Sequence, residues 1–395
     1  MKLQISSMLR PGGSNGFSPR SGVELSQLLV VVALLMSFGL VMIFSATVMS
    51  SDQSLTPNYG KFLRHLAHIA ISLLVMWAVS CVSIDRIERC SNYLMGLGIV
   101  LLVIVLVPGI GVEINGSRRW IDIGVAAFQP SELTKILTIV FFAAHLSRHQ
   151  GRVHKPKVWM MPCAVVLAPV SLLLLLEPDL GMSMVIAVTV MVMIFVAGAR
   201  LKDFAILLAA SVAALAVLVL SVDYRRERLI SYIDPFNDAL GSGFQLVQSL
   251  IAIGRGEWLG VGLGNSIQKL FYLPHGENDF LIAIVGEELG SVGIIVVLAL
   301  YAVLMWRIFR LSRSSWAHAD MFSSLLALGI GIQISFQAIV HVGVNVGLFP
   351  TKGLTLPFMS YGGSSMLSSM IGVGLLLAIE RDLRHRFRNI EEKPE

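Results

Sequence analysis

The chain has 395 residues, of which 55% are apolar and only 14% charged, with a formal net charge of +5. A soluble domain carries about 25% charged residues, so the composition excludes an ordinary soluble enzyme and points to a polytopic membrane protein. The positive balance follows from basic loops that flank membrane spans beside anionic headgroups, and no nucleic-acid partner is implied.

In chain order, a polar tail rich in Gly, Ser and Pro comes first, at 1–27. Ten apolar stretches follow, at about 28–48, 63–82, 92–108, 132–147, 158–176, 181–198, 204–222, 280–306, 321–343 and 366–380. A helix of roughly 20 apolar residues crosses a hydrocarbon core about 30 Å thick while satisfying its own backbone. The first stretch is too long for a signal-peptide core and is read as a retained span. The expected fold is therefore all-α with ten transmembrane helices. Both termini are placed in the cytoplasm, because that puts the larger share of Lys and Arg inside, including the dense segment from Arg148 to Lys157. This gives a cytoplasmic tail at 1–27, a membrane domain at 28–380 and a second cytoplasmic tail at 381–395, with a long periplasmic loop at 223–279 between spans 7 and 8. Cys81, Cys90 and Cys163 fall in or near the cytoplasmic half, where no disulfide is expected, and they lack metal-type spacing.

Three shorter outer loops and the long one hold most of the chemistry. The first reads Asn115-Gly-Ser-Arg-Arg-Trp-Ile-Asp122, followed by Phe128-Gln-Pro-Ser-Glu-Leu-Thr-Lys135. Pro130 suits a helix start, and Glu132 and Lys135, three apart, can meet on one helix face. They form either a structural ion pair or a polar pair aimed into a pocket. In Glu177-Pro-Asp179, the turn between two spans, the two carboxylates read as a turn and cap ahead of a catalytic pair, with Asp179 placed to cap the next helix. The long loop carries Arg225, Arg226, Arg228, Arg255 and Lys269, and Arg118, Arg119, Lys135 and Lys352 border other outer loops. Each alone reads as a solvated group or a lipid-phosphate anchor, but as a group they suggest an anionic ligand. Within the long loop, Phe244, Val247, Leu250 and Ile251 recur at helical spacing, as in a helix lying flat at the interface. Gln245, Gln248 and Ser249 fall between them.

Where the chain re-enters the bilayer stands a lone carboxylate, Asp279, with Glu287 and Glu288 deeper in the same span. Ionisable groups at such depth cost about 2.5–3.5 kcal/mol on insertion scales and normally face a cavity or a partner. Gly286, Gly290 and Gly293 would let a neighbouring helix approach. Gln333, Gln337, His341 and Asn345 repeat every fourth residue and form one polar stripe, read as interhelical hydrogen bonding or as a ligand-lining face. The last outer loop, from Gly347 to Ser365, holds two prolines, four glycines and one cation, Lys352, and suits a re-entrant or cavity-lining segment.

Together these motifs resemble the FtsW/RodA family, the membrane proteins of bacterial shape, elongation, division and sporulation. The likeness runs from Gly39-Leu-Val-Met-Ile-Phe-Ser45 to Tyr361-Gly-Gly-Ser-Ser365. It includes Arg119-Trp-Ile121, Gln129-Pro-Ser-Glu-Leu-Thr-Lys135, Glu177-Pro-Asp-Leu-Gly181, Gly254-Arg-Gly-Glu-Trp258, Gly286-Glu-Glu-Leu-Gly290 and Pro350-Thr-Lys-Gly-Leu-Thr-Leu-Pro357. The resemblance implies a peptidoglycan glycosyltransferase that polymerises lipid II at the outer face of the bacterial cytoplasmic (inner) membrane. It also implies a class B penicillin-binding protein and other division-machinery membrane proteins as partners. The catalytic position of the family falls on Asp279. Arg119, Glu132, Lys135 and Lys352 match its motif positions and, with Gln245 on the polar side of the loop helix, form the candidate substrate-binding set. The segment Leu273-Pro-His-Gly-Glu-Asn-Asp279 departs from many relatives before the aspartate, which puts a role for His275 in doubt. Ser117-Arg-Arg-Trp120 and the tail favour the division branch and a septal location. A divalent cation, Mg2+ or Mn2+, could assist near Asp279. The rival readings are a flippase for a lipid-linked sugar, an elongation-type polymerase and a non-catalytic division scaffold.

Overall fold

The structure is a computed structural model and describes residues 23–48, 59–114, 116–122, 124, 127–221, 232–239, 241, 243–270, 272–274 and 276–391. Asn115, Arg225, Arg226, Arg228, His275 and most of the 1–27 tail lie outside these residues.

The helices are α1 (Val23–Val48), α2 (Gly60–Ser80), α3 (Ile84–Leu106), α4 (Pro130–Arg148), α5 (Pro156–Leu176), α6 (Leu180–Val196), α7 (Leu201–Leu220), α8 (Phe244–Gly256), α9 (Leu281–Ala317), α10 (Met321–Asn345) and α11 (Gly363–Glu391). All but α8 overlap the apolar stretches expected from the sequence. Among the described residues, α1, α2, α3, α5, α9, α10 and α11 are seven helices long and apolar enough to cross a membrane, and α6 is apolar but shorter. The chain is thus an all-α polytopic membrane protein. α5 loosens into a π-turn over Cys163–Leu167, directly after Pro162, whose missing N–H disturbs the regular ladder. α9 continues past the expected end at 306, and Arg307 and Arg310 fold back over the Trp306 ring at 4.5 and 5.4 Å. Their stems cover apolar surface while their heads stay polar.

α4 lies at the centre and packs against α3, α6 and α10, while α11 packs on α2 and α9 on α1 and α10. Ile136, Ile139, Phe142, Ala143 and Leu146 of α4 are all buried. Side-chain bonds join the helices at two opposite ends. At one end Arg148 reaches the Glu88 carbonyl, Arg381 donates to Val82 O at 2.9 Å, and Arg386 pairs with Asp320 at 3.2 Å. The other end carries Asp279.

Two features were not anticipated. The segment between α3 and α4, expected as loop, forms a small antiparallel sheet of β1 (Gly111–Ile114), β2 (Ser117–Asp122) and β3 (Ala127–Phe128), with a register shift between Val112 and Glu113. The second feature is a break in α9 at Gly290, where φ is 68° and ψ −168°. In an unbroken helix Glu287 O and Glu288 O would accept from Ser291 N and Val292 N. Here they accept from Val261 N at 2.9 Å and Gly262 N at 3.0 Å. Ser291 N and Val292 N donate instead to Glu257 O at 2.9 Å and Trp258 O at 3.2 Å. The loop thereby supplies new partners for these two carbonyls and two amides, as buried backbone requires.

α8 is a helix, as its periodicity predicts, but its buried face is Leu246, Val247, Ser249, Ala252 and Gly256, whereas Ile251 is 43% exposed. It rests on α9 and on the end of α10 rather than lying apolar side down. Close packing of backbone decides this: a Cβ at Gly256 would stand 1.8 Å from Gly286 O. Gly286 and Gly290 of α9 therefore admit α8 and the segment after it, whereas Gly293 faces Val285 and Leu289 of its own helix.

Candidate functional site

Each candidate residue is placed by a short piece of local structure. Ser117 opens β2, and Arg119 is the residue that the β1–β2 register passes over, a bulge that re-aims its side chain. Both reach the Glu177-Pro-Asp179 turn between α5 and α6. Ser117 Oγ donates to Glu177 O at 3.2 Å, and Arg119 donates through Nε to Glu177 O at 2.9 Å and through Nη2 to Pro178 O at 2.6 Å. Arg118 pairs instead with exposed Glu113 at 3.4 Å.

Asp179 is the node of this region. One carboxylate oxygen caps α6 by accepting from Met182 N at 3.1 Å, and the other lies 3.3 Å from Gln129 Nε2 and 3.9 Å from Arg119 Nη1. Burial pushes its carboxyl up from the usual range, the Arg119 and Lys352 charges pull it down, and Glu132 pushes it up. Glu177 is fully buried, and neither carboxylate oxygen has a hydrogen-bond partner. Burial, with Asp179 adding to it, raises Glu177 to about 8.

The first turns of α4 hold the pair expected from the sequence. Lys135 Nζ lies 2.5 Å from Glu132 Oε2 and donates to Gln337 Oε1 at 3.0 Å, and Ser368 Oγ lies 3.4 Å from Glu132. Both side chains are almost wholly buried, Lys135 at 1% and Glu132 at 5%. Lys135 is thus tied to the polar stripe of α10, whose Gln333, Gln337, His341 and Asn345 all face the interior.

Asp279 precedes the first turn of α9 and is half-buried. Asn345 fixes its backbone: Nδ2 donates to Asp279 O at 3.1 Å, and Oδ1 accepts from Ala283 N at 3.0 Å. His341 Nδ1 donates to Leu354 O at 2.7 Å and so holds the loop between α10 and α11. That loop is irregular yet buried from Leu356 to Ser360, with Phe358 at φ 68°. Irregular backbone at this depth needs such protein cover. A Cβ added at Gly353 would stand 3.2 Å from Asp279 Oδ2, so the carboxylate lies against the backbone one residue beyond Lys352.

Two cations of the long loop do not wait for a ligand. Arg255 Nη1 pairs with Glu287 at 2.6 Å, and Lys269 Nζ pairs with Glu288 at 2.7 Å and touches Ser45 Oγ at 2.9 Å. Ser266 Oγ, Ile267 N and Gln268 N also converge on Glu287, at 2.5, 3.0 and 3.3 Å. The deep carboxylates thus fasten the loop to α9 and α1. For Arg255 and Lys269 this replaces the anionic-ligand expectation. Gln245 sits half-buried in the first turn of α8, one turn before Ser249, whose Oγ donates to Asn345 O at 2.8 Å.

Residues 26–385 match the family of cell cycle proteins that comprises FtsW, RodA and SpoVE. The chain belongs to this family. It is 44% identical over 360 residues to the probable peptidoglycan glycosyltransferase FtsW of Thioalkalivibrio sulfidiphilus, covering 91% of this chain and 90% of that one. It is 42% identical over 386 residues to the corresponding protein of Nitrosomonas europaea, covering 97% and 100%. Among solved structures, a chain from work on a peptidoglycan synthase complex that coordinates polymerization and crosslinking superposes with a TM-score of 0.71 at 33% identity, covering 90% of this chain and 97% of that one. The rod shape determining protein RodA of Thermus thermophilus gives 0.65 at 29% identity, covering 90% and 96%.

In this FtsW/RodA-family chain, the fold brings Asp279, Lys352, Arg119, Glu132 and Lys135 to one end of the bundle, with Gln245 on the helix that braces it. Asp179 caps α6, as its place in the turn indicates, and it also gathers Gln129 and Arg119. The signal for this second role was present in Glu177-Pro-Asp179, two carboxylates flanking a proline beside a basic strand. Among the described residues no group of three or more His, Cys, Asp or Glu side chains could hold a metal ion.

Proposed function

We infer that this chain is a peptidoglycan glycosyltransferase of the inner membrane that polymerises lipid II at the outer face, serving septal synthesis in cell division. The observation that carries the site is Asp279, a half-buried carboxylate at the mouth of a span, lying against the backbone beside Lys352. Asp279 is the general base: it takes the proton of the attacking sugar 4-hydroxyl as that oxygen bonds to the anomeric carbon of the second chain. The bond from that carbon to the lipid diphosphate breaks, and the electron pair leaves with the diphosphate. A single displacement with inversion needs no carboxylic-acid partner, because a diphosphate leaves without protonation of a sugar oxygen. Lys352 is the cation best placed to meet the developing charge. Arg119, its side chain 26% exposed, stands behind it, and the buried Glu132–Lys135 pair acts by positioning. A single carboxylate fits an ion such as Mg2+ or Mn2+ that takes its other ligands from water and substrate phosphates. Bound there, it would neutralise diphosphate charge.

Ten helices overlapping the ten expected stretches support a ten-span arrangement with both termini inside and the 223–279 loop outside. The concentration of candidate residues at one end favours chemistry there over a flippase. A class B penicillin-binding protein is the proposed crosslinking partner, on the likeness to the synthase complex, together with other division-machinery membrane proteins. Purified protein with lipid II in detergent, with and without that partner, tests the reading. Asp279→Asn, nearly isosteric, is expected to remove strand formation and leave the melting temperature unchanged. Near-normal strand synthesis by that variant would overturn the assignment.

A further inference from the structure

A second cationic patch lies beside the segment that carries Asp279, with neighbours different from those of Lys352. Lys61, Arg64, His65 and His68 follow one another at helical spacing along the first turns of α2 and share a face. That face meets Tyr361, just before α11: the His65 and Tyr361 ring centroids are 5.6 Å apart, and those of His68 and Tyr361 are 6.5 Å apart. The His68 ring packs against the backbone of Gly363, where a Cβ would come within 2.9 Å. Glu277 joins this patch to the catalytic segment, since its carboxylate pairs with Lys61 Nζ at 2.9 Å and its carbonyl accepts from Tyr361 N at 3.0 Å. Glu277 is only two residues from Asp279, a chain distance of at most about 7 Å.

The balance of groups favours an anion. Lys61 and Arg64 bring two positive charges against the single carboxylate of Glu277, which also holds Lys61 in place. Burial pushes the Tyr361 phenol up, and Arg64 and Lys61 draw it back, so it remains an O–H donor at neutral pH. His65 is 1% exposed, and its Nδ1, like that of His68, is buried with no hydrogen-bond partner. Such a nitrogen is costly to leave unmatched unless a ligand or water completes it.

Strand polymerisation joins two chains that each carry a polyprenyl diphosphate. In the donor the diphosphate is bonded to the reacting carbon, so it must lie next to Asp279, where Lys352 stands. In the acceptor the attacking hydroxyl is on the far sugar, so its diphosphate lies one disaccharide away. We propose that Lys61, Arg64, His68 and Tyr361 bind the diphosphate of the acceptor substrate, apart from the donor diphosphate at Lys352. The inference rests on the glycosyltransferase reading.

Native mass spectrometry of the full-length protein in detergent, titrated with undecaprenyl diphosphate, tests it by counting bound ligands. The wild type is expected to bind two. Lys61→Gln/Arg64→Gln, both changes on exposed side chains, is expected to bind one tightly and the other at least about tenfold more weakly, with its melting temperature unchanged. Lys352→Gln should weaken the other site and leave this one intact. Two unaltered sites in the double variant, or a single site in the wild type, would overturn the proposal. Phosphatidylglycerol displacing the second ligand would also overturn it, by making the patch a headgroup anchor. Asp279→Asn should still bind two. Were that variant to polymerise lipid II normally, the catalytic reading would fall while the ligand count stood.

Discussion

Among single residues, Glu177 carries the clearest pH signature. Its folded pKa is raised to about 8, so between its ordinary value and 8 the folded chain holds a proton that the unfolded chain has lost. Stability therefore falls as pH rises through this window, and burial of Asp179 acts in the same direction. Glu177→Gln should flatten the decline: melting curves at pH 6 and pH 8.5 should differ less in the variant than in the wild type, and equal differences would refute the account. The Glu132–Lys135 pair makes another demand. Lys135→Met strands a buried carboxylate and should cost roughly 3–5 kcal/mol, whereas Lys135→Met/Glu132→Gln should regain most of that stability. Polymerase rate should stay low in both if the pair positions the site. This pair was legible from its three-residue spacing. The Lys269–Glu288 and Lys61–Glu277 pairs were not, because tertiary folding alone brings their partners together.

At the level of elements, the fit of α8 to α9 depends on absent side chains. Gly256→Ala would drive a Cβ into Gly286 O, whereas at Gly254 nothing stands within 4 Å. Gly256→Ala is expected to abolish activity and open the loop to protease. Gly254→Ala should be neutral or stabilising by up to about 1 kcal/mol, since alanine is the better helix former. Similar behaviour of the two variants in limited proteolysis would show that the close approach is not limiting. Periodicity identified this helix but not its buried face, because Ser249 is buried through its bond to Asn345 O while apolar Ile251 is left outside. The sheet around β2 escaped notice for a similar reason. Its strands are short and bulged at Arg119, and Ser117 and Arg119 are satisfied by carbonyls of a distant turn rather than by an apolar layer.

Across the whole molecule, the sequence showed the membrane class and the helix positions because hydropathy and length are local properties. The grouping of charged residues at the two ends was also legible there, but the partners they take emerged only when the helices packed. Exposed Cys81, in the turn between α2 and α3, offers a check on orientation. A membrane-impermeant maleimide should label it in inverted vesicles and leave it untouched in intact spheroplasts. Labelling in spheroplasts would reverse the proposed topology.

The break in α9 bears on biogenesis. A translocating chain that reached the bilayer with Gly290 already bent would leave two carbonyls and two amides facing hydrocarbon, each at a cost of several kcal/mol. Those groups find partners only once the segment from Glu257 to Gly262 has come to rest on α9. The span must therefore either insert straight and bend afterwards, or mature together with its loop. In both cases the loop and the helix are inherited as one unit: a chimera that exchanges the loop between distant relatives should assemble only when residues 286–292 travel with it.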